Sequence, residues 1–69
     1  MEITSEMAGT IVALNFEPGD TVSQGDELLV LESMKMEMPL MSPVEGTVAS
    51  ITVSNGDVVQ AGQVLMTIA

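Results

Sequence analysis

The stretch Leu31–Met38, LESMKMEM, sets one amine, that of Lys35, between Met34 and Met36, with Met38 two positions further on. Lys35 is the sole cationic side chain, since Lys and Arg together number 1 and there is no histidine. A primary amine is a nucleophile once it loses its proton, and acylation turns it into a stable amide. Methionine is flexible and polarisable and usually fills cores. Strand alternation cannot bury Met34 and Met36 while Lys35 stands at an exposed bend. Apolar groups beside an exposed nucleophile read instead as a docking surface for a modifying enzyme.

The totals narrow the remaining classes. The formal net charge is −9. Phosphate binding needs Lys and Arg clusters, so nucleic acid is excluded as a partner. The same sign argument excludes an anionic membrane surface. No apolar run reaches the roughly 18 residues of a spanning helix, so no membrane insertion is expected. The opening MEITSEM has neither a basic nor an apolar region of the kind a signal peptide needs. There is no cysteine, which removes disulfides and thiolate metal sites and permits a reducing compartment. Asp20, Asp26 and Asp57 lie beside glycines, but their spacing is not that of a calcium loop. Aspartate at a turn commonly bonds its own backbone, and no metal is expected.

A chain of 69 residues is expected to make one small domain, residues 1–69, and its core is marginal unless the interior closes tightly. The means of closure is visible when the sequence is shifted by 37 positions. GTIVALNFEPGDTVSQGDELLVL, Gly9 to Leu31, then falls without a gap on GTVASITVSNGDVVQAGQVLMTI, Gly46 to Ile68. Gly9, Thr10, Gly19, Asp20, Val22, Gly25 and Leu28 meet identical residues, and three of these are glycines read as turn signals. Two units are too few for a solenoid. Two half-sheets closing face to face about a pseudo-two-fold axis account for them. Period two places Thr10, Val12, Leu14 and Phe16 on one face, and Thr47, Ala49, Ile51 and Val53 on its equivalent. EPGD has the Pro-Gly centre of a type II turn, and SNGD carries Asn-Gly, a strong hairpin signal. In the last strand of each unit, Leu29, Leu31, Met66 and Ile68 are expected in the core, with Val30 and Thr67 outward. Short strands with a turn at each end predict an all-β sandwich or flattened barrel.

The repeat also places the lysine. Glu27–Met38 is rich in Leu, Glu, Met and Lys, which alone would favour helix. Leu28–Leu31 must, however, behave like Leu65–Ile68, which end a β-unit, and Pro39 disfavours helix at Met38. A hairpin bend over Ser33–Glu37 follows, with Met34 and Lys35 near its tip. Neither is a usual residue for a bend that needs positive φ, so function rather than turn chemistry selects them. The symmetry equivalents of Lys35 fall just beyond the chain ends. The lysine and the termini therefore occupy corresponding places in the two halves.

ESMKMEM resembles the biotin-attachment signature, and the whole stretch from Ile3 to Ile68 is similar to biotinyl domains of the biotin carboxyl carrier family. MKM alone is a weak match; MKM midway between two GT…GD…G units is a strong one. The resemblance implies a flattened barrel of two four-stranded antiparallel sheets, with the lysine in the hairpin between the fourth and fifth strands. By the same match Lys35 carries covalent biotin, and Glu32, Met34 and Met36 serve recognition by biotin protein ligase. The implied chain is a carrier without turnover of its own. Its biotin arm moves a carboxyl group between biotin carboxylase and carboxyltransferase. It works in the cytoplasm, or in the mitochondrion if it derives from a eukaryotic carboxylase. Ser33 stands where the family more often has Ala, and Glu6 where Pro often stands. Phe16 runs directly into EPGD without the extra thumb loop of many bacterial acetyl-CoA carboxylase carriers. That favours a carrier like those of pyruvate, propionyl-CoA or decarboxylase systems. A lipoyl domain, which usually has Asp-Lys-Ala at the bend, and an unmodified acidic interaction module are the alternatives.

Overall fold

Of the 37 backbone–backbone hydrogen bonds, 20 lie within strands and 17 in the turns and loops that join them. The computed structural model describes residues 1–69 and holds eight strands. These are β1 (Glu2–Thr4), β2 (Gly9–Leu14), β3 (Thr21–Val22), β4 (Glu27–Ser33), β5 (Met36–Met41), β6 (Gly46–Ile51), β7 (Val58–Val59) and β8 (Val64–Ile68). One four-stranded sheet runs β1-β8-β6-β3 and the other β5-β4-β2-β7, with all pairs antiparallel. Adding 37 to the residue numbers of β1 and β3 and subtracting 37 from those of β8 and β6 converts the first sheet order into the second. The expected two-fold pair of half-sheets is thus the architecture found.

The core lies between the sheets. Ile11, Leu28, Leu29, Val59, Leu65 and Met66 are wholly buried; Val48 and Val22, the repeat-mates of Ile11 and Val59, are nearly so, as is Ile68, the mate of the buried Leu31. Leu29, Leu31, Met66 and Ile68 face inward as expected, with Val30 and Thr67 only partly covered. Strand phase differs from strict alternation. Ile11 is buried and Val12 exposed, because a bulge between Ile11 and Ala13 inserts one residue; Leu14 and Phe16 then return to pack on the core. The second repeat does the same between Val48 and Ser50. Thr10 and Val12 therefore do not share the face of Leu14 and Phe16. A further bulge between Glu27 and Leu29 lets the adjacent Leu28 and Leu29 both point inward.

Most connections cross from one sheet to the other. Gly19 and Gly56 have φ of 96 and 90, whereas Asn55 is not left-handed. Both turns thus have type II character. Asn55–Gly56 carries the chain between sheets and does not close a hairpin, which corrects the expectation for SNGD. Asp20 and Asp57 accept from the amides of Glu17 and Ser54, each at 2.9 Å, and Asp26 accepts from Ser23 at 2.8 Å. These aspartates fasten turns. Gly9 and Gly46 are not turn residues. They open β2 and β6, where a Cβ at Gly9 would lie 2.6 Å from the Glu32 carbonyl oxygen and one at Gly46 would strike the carbonyl of Ala69.

Candidate functional site

Among the sequential connections, only β4–β5 joins neighbours within a sheet. Its ladder pairs Leu31 with Met38, Glu32 with Glu37, and Ser33 with Met36, so Met34 and Lys35 alone form the loop. Their φ values are 54 and 64. Two successive left-handed residues give the turn whose twist matches a hairpin, a place normally held by Asn-Gly. Each L-residue with a Cβ costs about 1–2 kcal/mol in that conformation. The hairpin survives because its root is anchored: Leu29 and Leu31 are buried, and β2 lies against β4 through the Gly9 contact at Glu32.

The tip is open. Met34 is 92% exposed and Met36 60% exposed, and Lys35 and Glu32 are exposed as well. Met34, Lys35, Met36 and Glu32 therefore come together on one hairpin end. The two methionines are not core, in contrast to Met66, and Met38 is half-buried. Glu32 and Glu37 face each other across the ladder. Like charges so placed are destabilising by roughly 0.2–1 kcal/mol. At the root, a part-open apolar hollow of about 160 Å3 is lined by Met7, Leu29, Leu31, Met38 and Leu40 among others. An uncovered amine on a two-residue turn suits acylation by an outside enzyme. It needs no cavity of its own to hold the product.

Two buried polar residues that fasten turns of the fold were not singled out from the sequence. Ser5 and Ser42 are buried, and their hydroxyls donate to the carbonyls of Met7 and Val44. Their backbones bind the turns of the opposite unit: Gly62 N donates to Ser5 O at 2.7 Å, and Gly25 N to Ser42 O at 2.8 Å. The signal available was a serine in both copies at the 37-residue spacing.

The family model described as biotin-requiring enzyme, Biotin_lipoyl, matches residues 1–68. A biotinylated protein of Mycobacterium leprae, a TB7.3 homolog, is 39% identical over 67 residues, which is 97% of this chain and 94% of that one. The biotin carboxyl carrier protein of Streptococcus mutans is 48% identical over 63 residues, 91% of this chain and 48% of that protein. The crystal structure of Kluyveromyces lactis urea carboxylase contains a similar fold with a TM-score of 0.91 and 33% identity. That match covers 100% of this chain and 6% of the larger one.

Proposed function

The chain belongs to the biotin and lipoyl attachment family, and on that premise we propose that residues 1–69 are one biotinyl domain, a biotin carboxyl carrier with Lys35 as its attachment residue. The observation that carries this reading is the chain's single side-chain amine on a left-handed two-residue turn between two exposed methionines. Biotin protein ligase would be the modifying partner. The Lys35 Nζ attacks the activated carboxyl carbon of biotin. The C–N amide bond forms as the bond to the activating group breaks, that group leaves with its electron pair, and the nitrogen gives up a proton to the ligase. The change removes the only cation and takes the formal charge from −9 to −10. Glu32, Met34 and Met36 present the amine to the ligase: the methionines offer apolar contact and Glu32 an anionic one.

When attached, biotin supplies a ring that carries a carboxyl group. The protein supplies delivery. The β4–β5 ladder holds the attachment point rigid, and the long lysine stem lets the ring reach a biotin carboxylase site and a carboxyltransferase site. Such tethering raises the local concentration of the ring to the order of mM. The chain is therefore a carrier, not a catalyst. No helix is long and apolar enough to cross a membrane. We place its work with a carboxylase in the cytoplasm, or in the mitochondrion for a eukaryotic parent.

Intact mass after incubation with biotin protein ligase, ATP and biotin tests the assignment. One biotinyl amide on the wild type and none on Lys35→Arg is the expected result. Lipoylation by a lipoate ligase, with no biotin added by the biotin enzyme, would overturn it. Met34 and Met36 in place of the Asp and Ala usual in lipoyl domains favour biotin.

A further inference from the structure

The repeat gives each surface position outside Ser33–Glu37 an internal control, because residues 1–32 have twins at n + 37. On the outer face of the lysine-bearing sheet, Pro39, Val30 and Ala13 lie side by side across β5, β4 and β2, and Val58 on β7 lies beside Thr10. The equivalent positions of the other sheet hold Glu2, Thr67 and Ser50, with Thr21 beside Thr47. Val12, at the bulge, has Ala49 as its twin. Val58 is 68% exposed and Val12 37% exposed. At Pro39, Val30, Ala13, Val12 and Val58 this face is thus apolar where its twin is polar or smaller, with Thr10 between Val58 and Glu32 in the neighbouring row.

Fold requirements do not account for the difference. Threonine and valine are both β-branched and both favour strands. The twin sheet forms with Thr21 and Thr67, so the architecture tolerates polar residues at these places. Burial does not account for it either, since these side chains point away from the core. Two twin pairs run the other way: Glu32 stands for Ala69, and Glu27 for Val64. They, with Glu37, edge the apolar strip with carboxylates. On the hairpin side the edge is the Glu32–Glu37 pair, which lies between the Val30–Pro39 row and the Ser33–Met36 pair at the loop.

We propose that the outer face of the lysine-bearing sheet docks a carboxylase component, a protein surface that offers an apolar strip edged by Lys or Arg side chains. The proposal rests on the reading of Lys35 as the biotin site. A second copy of this chain is disfavoured as occupant, because it would set Glu27, Glu32 and Glu37 near like charges with −9 on each molecule. Docking through the sheet face keeps the turn itself uncovered. The carrier is held close while the arm stays free to move, and the effective concentration of the ring rises without any contact to the ring.

The test transplants the twin's residues: Val12→Ala, Val30→Thr and Val58→Thr together. This variant is expected to fold and to be biotinylated by the ligase at the wild-type rate, because the tip is untouched. As biotinylated carrier it should show a KM about tenfold higher, with kcat unchanged, toward purified biotin carboxylase or carboxyltransferase of its own carboxylase. Thr21→Val with Thr67→Val on the other sheet should change nothing. If the triple variant fails to fold, Val58→Thr alone on the edge strand is read in the same way, with a smaller rise. A labelled, folded variant with wild-type KM at both steps would overturn the proposal. So would sedimentation showing a wild-type dimer that the substitutions dissociate. Failure of the wild type to accept biotin would instead sink the reading of Lys35. Calorimetric binding of the unlabelled domain to the two components then decides docking by itself: weaker binding of the variant supports it, and equal binding overturns it.

Discussion

Lys35 and its neighbours can be altered with little effect on the fold, because nothing in the core depends on them. Lys35→Arg keeps the charge and the stem but presents a guanidinium that does not acylate. It should accept no biotin and shift unfolding free energy by no more than about 0.5 kcal/mol, as exposed substitutions do. Streptavidin capture and a urea titration read the two quantities; a large loss of stability would mean the tip is packed. Met34→Asp should lower ligase kcat/KM at least about tenfold with similarly small effect on stability, since Met34 touches solvent rather than core. Equal losses in both would make Met34 structural. The exposed turn with its amine between two methionines was legible because a lone amine so placed has few bland explanations. Ser5 and Ser42 were not, because a serine says nothing about burial until its hydrogen-bond partners are known. The close approach at Gly9 was likewise hidden: a glycine in the sequence signals a turn and a tight backbone contact equally well.

Strands and turns are where repeat logic succeeded and simple alternation failed. The helix-favouring composition of Glu27–Met38 gave way to β-structure, as the equivalence of Glu27–Leu31 with its twin strand Val64–Ile68 requires. The bulges between Ile11 and Ala13 and between Val48 and Ser50 escaped a period-two reading, since one inserted residue reverses the phase without changing any residue type. The lysine turn stores strain that a residue swap should release. Met34→Asn with Lys35→Gly installs the pair this left-handed turn favours. It should raise unfolding free energy by about 1–2 kcal/mol while abolishing attachment. A denaturation midpoint equal to or below wild type would contradict the φ values of that turn. Gly56→Val acts in the opposite sense. A Cβ there meets no atom within 4 Å, so the cost is conformational: φ of 90 is closed to a β-branched residue. A loss of about 2 kcal/mol or more is expected in the same titration.

Across the molecule, charge and size set one more behaviour. Ten acidic residues and one lysine share a body measuring 30 × 19 × 18 Å. At about 0.01 M salt the screening length is roughly 30 Å, so every carboxylate feels all the others; at about 0.15 M it is roughly 8 Å and only neighbours interact. The compact state holds these charges closer together than the unfolded chain does, so self-repulsion opposes folding. Glu32 against Glu37 is its sharpest local instance. Stability should therefore rise with sodium chloride between those two concentrations, by about 1 kcal/mol, and potassium chloride should match it because screening depends on ionic strength. Biotinylation, which takes −9 to −10, should steepen the dependence slightly, since the removed cation is one of the few attractions the acids have. Thermal melts of unlabelled and labelled protein across the salt series measure both effects. Melting that is flat or falls with salt would show that the acidic surface is offset in the folded state by attractions that the unfolded chain lacks.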